Sequence, residues 1–216
     1  MADSTISNEN ISATLPEGAD IDLSSTVKGV NKVTIKEALE GASFEKGDGR
    51  SAIIGEALKA SDVVVNAAKG ESSVIGLRTS SFVGNTIKNE GKGSLTIKAQ
   101  KGNIKNLVVD AGENLNRADK IAFKNDAKVT NGDFSLGKGD DTVRFSKATK
   151  IKGDVAIDLG KGGADKVVVA ANKVKSGNLT ITSFSKKDKL TVGGETFTHK
   201  DIKNGAEIPG IKVDLA

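Results

Sequence analysis

Asp119-Lys-Ile-Ala-Phe123, Asp141-Thr-Val-Arg-Phe145, Asp165-Lys-Val-Val-Val169 and Asp188-Lys-Leu-Thr-Val192 are four versions of one five-residue phrase. Successive copies start 22, 24 and 23 residues apart. In each, an aspartate precedes alternating polar and apolar residues, the period-two pattern of a half-buried strand. A second phrase falls between them: Gly132-Asp-Phe-Ser-Leu136, Gly153-Asp-Val-Ala-Ile157 and Gly177-Asn-Leu-Thr-Ile181. Its glycine followed by a small polar residue marks a turn that leads into a strand. One repeat unit therefore holds two short strands and two turns.

The pattern continues upstream in weaker form. Asp62-Val-Val-Val65 and Asn85-Thr-Ile-Lys88 lie 23 residues apart, as do Gly70-Glu-Ser-Ser-Val-Ile75 and Gly93-Ser-Leu-Thr-Ile97. Asn106-Leu-Val-Val109 and Gly112-Glu-Asn-Leu115 are the counterparts in the blurred stretch between 98 and 118. About six units span residues 50–194 on this reading.

A strand repeat with a period in the low twenties predicts an all-β solenoid, a β-roll-like stack in which each coil buries its apolar face on the next. Ile121, Val143, Val167 and Leu190 are then expected in one inward column, with the four aspartates at equivalent turn positions. The rival architecture is a β-sandwich with regular spacing. Residues 1–49 read as an N-terminal arm and cap and residues 50–194 as the repeat domain. Residues 195–216 read as a C-terminal cap that shields an open strand edge. Lys36–Glu40 and Gly55–Ala60 each carry the composition of a single helical turn.

Composition agrees with a thin core. The 216 residues include 7 Phe but no Trp and no Tyr, so Val, Ile, Leu and Ala must do most of the packing. With 25 Gly and only 2 Pro, the chain suits many short strands and tight turns. There is no Cys, which excludes disulfides and thiolate metal sites. Met1–Asn10 is polar and lacks an apolar h-region, so no signal peptide is expected there. No run of about 18 apolar residues exists, so no membrane-spanning segment is expected. The 32 basic and 28 acidic residues are spread along the chain. A nucleic-acid groove calls for clustered cations with stacking aromatics, and the sequence has neither.

Catalytic chemistry finds little to work with. His199 is the single histidine and has no partner selected by the sequence. Gly91-Lys-Gly93 and Gly137-Lys-Gly139 lack the remaining spacing of a phosphate-binding loop. Asp140 and Asp141, adjacent on an extended chain, point to opposite sides and make a poor acid–base pair.

Leu136-Gly-Lys-Gly-Asp-Asp-Thr-Val143 resembles the glycine- and aspartate-rich nonapeptide of the RTX, or haemolysin-type calcium-binding, β-roll proteins. Leu159-Gly-Lys-Gly-Gly-Ala-Asp-Lys-Val167 is a second copy with one residue inserted. The resemblance covers residues 136–194 and implies calcium positions at Gly139, Asp141, Gly163 and Asp165. In that family the nonapeptides recur back to back and share each ion. Here they are separated, and Lys138 and Lys161 flank the ligand positions. Calcium takes six to eight oxygens, so these are expected to be vestigial calcium positions, and no cofactor is expected.

The expected function is therefore non-catalytic: a structural or decorating protein on the outside of a particle, with a phage virion knob, cement or fibre subunit as its leading form. Its expected partner is the acidic protein surface of a larger assembly, with self-association left open and no nucleic acid or membrane insertion. The alternative is a secreted, extracellular RTX-like adhesin or matrix protein with residual calcium binding. A polysaccharide-acting enzyme on a β-helix ranks third, because the aromatic sugar platforms of such enzymes need Trp or Tyr.

Overall fold

The computed structural model describes residues 11–15, 20–23, 32–38, 43–46, 52–59, 62–65, 72–112, 116–171, 174 and 176–216. Side-chain surroundings are described from residue 83 onward within those ranges, Ser176 excepted. The strands are β1 (Ile11–Leu15), β2 (Asp20–Leu23), β3 (Lys32–Ala38), β4 (Ser43–Lys46), β5 (Ala52–Lys59), β6 (Asp62–Val65), β7 (Ser72–Val83), β8 (Thr86–Asn89), β9 (Ser94–Ala99) and β10 (Gly102–Asp110). They continue as β11 (Lys120–Phe123), β12 (Ala127–Ser135), β13 (Thr142–Phe145), β14 (Lys150–Asp158), β15 (Lys166–Val169), β16 (Ser176–Phe184), β17 (Lys189–Val192), β18 (Glu195–Thr198) and β19 (Ile211–Leu215). A short helix, α1 (His199–Lys203), precedes β19.

The strands pair in parallel with their counterparts one coil away, which makes the chain a β-solenoid. Three ladders run along it. The first joins β7, β9, β11, β13, β15 and β17. The second joins the ends of β7 and the opening halves of β10, β12 and β14. The third joins β8, the closing halves of β10, β12 and β14, then β16 and β19. Each coil thus has three strand segments where the sequence suggested two. The hidden third segment lies within β10 and β12, whose chains bend at Asn106 and Asn131. Both residues adopt positive φ, 54° and 48°. Asparagine tolerates that left-handed conformation because its short amide bonds locally. The Asn131 amide also donates to the Asn106 side chain one coil away, at 3.2 Å.

Strands β1 to β6 pair in parallel into the same ladders, including β1–β4 within residues 1–49. Most of Lys36–Glu40 and Gly55–Ala60 lies in β3 and β5, so neither forms the helical turn expected of its composition. Parallel pairing with neighbouring coils overrides a weak local helix propensity.

The inward column expected from the repeat is present. Ile97, Ile121, Val143, Val167 and Leu190 lie in register on the first ladder, and all are buried. On the third ladder Ile87, Val109, Phe134, Ile157 and Ile181 form a second buried column. Between them Phe123 stacks on Phe145 with ring centroids 5.1 Å apart, and on Phe134 at 5.6 Å. Offset stacking of this kind adds about 0.5–1.5 kcal/mol per pair beyond the area buried. A few phenylalanines thus fill the middle of a core whose walls are aliphatic.

The aspartate-led and glycine-led phrases exchange places upstream. The segments at Asp62, Asn85 and Asn106 belong to the third ladder, together with Gly132-Asp-Phe-Ser. The segment at Gly93 belongs to the first, together with Asp119-Lys-Ile. Spacing alone cannot assign a strand to one of two ladders that share a period. At the C-terminal end the Gly193-Gly194 turn folds β18 back antiparallel onto β17, while β19 covers β16. The C-terminal edges of the first and third ladders are thereby paired, as a cap requires.

Candidate functional site

The residues that the repeat singled out converge at the corner where the third ladder turns into the first. Asp119, Asp141, Asp165 and Asp188 each stand one residue ahead of a first-ladder strand, and none is more than 2% exposed. They form a continuous ladder. The Asp119 carboxylate accepts from the backbone N–H of Leu95 at 2.6 Å, and Asp141 accepts from the N–H of Asp119 at 2.7 Å. Asp165 accepts from the N–H of Asp141 at 2.8 Å, and Asp188 from the N–H of Asp165 at 2.9 Å. The main chain adds a reciprocal bond. The carbonyls of Asp119, Asp141 and Asp165 each accept from the residue after the next aspartate, Thr142, Lys166 and Lys189 in turn, at 2.9 Å. Every coil is thus clamped to the previous one twice. The second oxygen of Asp188 closes the last turn by accepting from Ser185 N–H at 2.6 Å.

Arg117 caps the other end of the ladder. It is buried, donates to the carbonyls of Gly91 and Gly93, and lies 3.8 Å from the Asp119 carboxylate. Burial pushes Asp119 up to about 6, held back by the Leu95 N–H and by Arg117. Burial pushes Asp141 up to about 8, opposed by the Asp119 N–H and helped by the like charges of Asp119 and Asp165. Burial likewise pushes Asp165 up to about 7, opposed by the Asp141 N–H and helped by Asp188 and Asp140. Asp141 is thus the aspartate of the ladder whose proton is held most tightly, and its second oxygen has no hydrogen-bond partner among the described residues.

Gly139 and Gly163 also stack. Both have positive φ, 138° and 106°, and a Cβ on Gly163 would overlap the Gly139 carbonyl. A Cβ on Gly139 would overlap the Arg117 carbonyl. These glycines are the surfaces on which successive corners rest. The structure brings Gly139, Asp141, Gly163 and Asp165 to one corner. It turns both carboxylates inward, each with an oxygen already accepting a backbone N–H. As arranged, they do not offer calcium the oxygens it takes. Among the described residues no group of three or more His, Cys, Asp or Glu stands close enough to hold a metal ion. Lys138 and Lys161 point outward along a groove of about 330 Å³ shared with Ser135, Asp158 and Ser183. Adding a chelator is expected to leave Tm within about 1 °C, since only a ligand bound to the native state raises it. A drop of several degrees, reversed by calcium, would restore an ion to Asp141 and Asp165.

Asp140 and Asp141 do point to opposite sides. Asp140 is exposed and accepts from Ala164 N–H at 2.8 Å, while Asp141 is buried. His199 is half-buried at the start of α1, where Asp201 accepts from Thr198 N–H at 2.8 Å. The spacing of the aspartates carried the ladder. Arg117 carried no sequence signal, because it occurs in one coil alone.

Among the described residues no helix is long and apolar enough to cross a membrane. Comparisons with protein families, curated proteins and solved structures find no match to this chain.

Proposed function

We propose that this chain is a non-catalytic structural subunit that decorates the surface of a larger particle, in the manner of a virion knob, cement or fibre protein. The observation that carries the reading is the unbroken stack. Three ladders and their buried columns run through successive coils to a C-terminal cap that pairs the edges of the first and third ladders. The conspicuous buried polar groups also support it. The aspartate carboxylates hold the coils together by bonding main-chain N–H groups. Such a stack of nearest-neighbour repeats offers an extended surface, which suits display and docking.

The test is immunogold labelling of the producing cells and of the particles they release, with an antibody against the folded chain. Label on particle surfaces is the expected result. Label on the cell envelope or in an extracellular matrix would instead place the chain with secreted RTX-like adhesins. Label confined to the soluble cell interior would overturn both.

A further inference from the structure

The net charge of +4 is spread unevenly around the coil. On the first ladder, strands β9, β11, β13, β15 and β17 each put one exposed cation outward: Lys98, Lys120, Arg144, Lys166 and Lys189. None of these strands contains a carboxylate. The adjoining second ladder has the same sign. Its segments within β10, β12 and β14 present Lys105, Lys128, Lys150 and Lys152, exposed or half-exposed and again without a carboxylate. The turns between the two ladders add Lys101, Lys124 and Lys147 against one carboxylate, Asp126, among the described residues. Among those residues none of these cations lies within salt-bridge reach of an acid. The third ladder, by contrast, mixes its signs. Lys88 stands in register with Asp110, and Lys138 and Lys161 share a groove with Asp158.

We infer that the basic surface of the first and second ladders binds a linear polysaccharide carrying carboxylate or sulfate groups, laid along the solenoid axis. Charge complementarity calls for a polyanion, and three observations select this one. First, the first-ladder cations recur once per coil, at the ~4.8 Å spacing of parallel strands. A linear acidic polysaccharide carries its charges at short, regular intervals along one line, whereas the carboxylates of a folded acidic protein are scattered over a surface. Second, the outward columns hold only Thr96, Ala122, Thr142, Val168 and Thr191 beside the cations. No bulky neutral side chain stands between the charges, and three hydroxyls face the sugar. Third, Phe123 and Phe145, the phenylalanines of these strands, are buried. Single-stranded nucleic acid would lack the stacking platforms it uses. A membrane would find no apolar face to bury. The inference goes beyond the particle reading and does not need it, so glycan binding and particle labelling can fail separately.

Titration calorimetry of the full chain against heparin, polygalacturonate and neutral dextran tests it. The two acidic polymers separate sulfate from carboxylate as the recognised group. Binding to at least one of them is expected, with none to dextran. It should weaken more than about tenfold between about 0.05 M and about 0.3 M salt, because a condensed polyanion releases counterions when cations dock. The variant Arg144→Gln/Lys166→Gln/Lys189→Gln should bind at least about tenfold more weakly, each exposed contact adding a little. The variant Lys88→Gln/Lys138→Gln/Lys161→Gln removes as many charges from the third ladder and should bind like the parent. All six side chains are exposed, so both variants should melt like the parent. If the first does not fold, protection of Lys166 and Lys189 from acetylation by heparin in the parent reads the same face. Failure to bind either acidic polymer would overturn the inference, as would unprotected lysines. Equal loss in the two variants would also overturn it, since net charge alone would then explain binding. Tighter binding of duplex DNA, or of polyglutamate, than of either polysaccharide would assign the face to nucleic acid or to an acidic protein instead.

Discussion

Raising the pH from about 5 to about 8.5 is expected to lower the stability of this chain by at least about 3 kcal/mol, roughly 6–12 °C in Tm for a chain of this size. Asp119, Asp141 and Asp165 have folded-state values raised to about 6, about 8 and about 7, against 3.8 for the free side chain. A raised value means that the folded chain binds these protons more tightly than the unfolded chain. Between pH 4 and pH 8 the folded state therefore holds more protons, and stability falls as pH rises. The contribution is complete below about 3.8 and is lost as pH climbs through the three folded-state values. Asp158 and Asp201 are shifted the other way, and their opposing effect lies below pH 4, outside the window. Tm recorded by circular dichroism across the window checks the slope. Asp141→Asn isolates the cause, because the amide keeps an acceptor for Asp119 N–H and cannot ionise. That variant should match the parent near pH 5, exceed it near pH 8.5 and show a shallower slope. A flat or rising Tm in the parent would show that the aspartate ladder stays charged in the fold.

The same aspartates show how far the sequence could be read. Their spacing is a direct record of the coil, because each carboxylate must reach the N–H one coil back. A residue with that task cannot drift in register without losing its bond. The alternation after each aspartate is likewise forced by a face that is buried in every coil, and so Ile121, Val143, Val167 and Leu190 could be placed in one column. The second ladder left no such record. Its segments, such as Ala127–Thr130, run into the third ladder through a single bent residue, so each long strand reads as one element. The buried state of Asp141 was also out of reach. A glycine-rich turn before an aspartate suits an ion-binding loop and a hydrogen-bonded corner equally well, and only the direction of the side chain separates them. The basic row on the first ladder, by contrast, was present in the sequence as single basic residues one coil apart. They looked like a scattered surface until the first ladder gathered Lys98, Lys120, Arg144, Lys166 and Lys189 on one face.

Gly139→Ala is expected to cost more than about 4 kcal/mol or to prevent folding, whereas Gly162→Ala should cost about 1–2 kcal/mol. Both glycines have positive φ, 138° and 87°, so both substitutions carry backbone strain. They differ in surroundings. A Cβ at Gly162 meets nothing within 4 Å, while one at Gly139 would overlap the main chain of Arg117 in the coil before. Backbone cannot swing aside as a flexible side chain can, so the corner must open. Opening it would separate Asp141 from the Asp119 N–H, because the aspartate follows Gly139 by two residues. The stack would also lose the Asn116–Lys138 bridge and the Arg117 N–H bond to the Lys138 carbonyl, which sit at the same corner. The strain of a positive φ is thus the smaller part of the effect, and close approach of successive coils the larger. Urea denaturation of the parent and the two variants measures the difference directly, with the shift in midpoint at constant slope as the readout. If the two alanines cost the same, the corners are not in tight contact and the glycines serve turn geometry alone. If Gly139→Ala is the milder of the two, the stacking of Gly163 on Gly139 and of Gly139 on Arg117 is wrong.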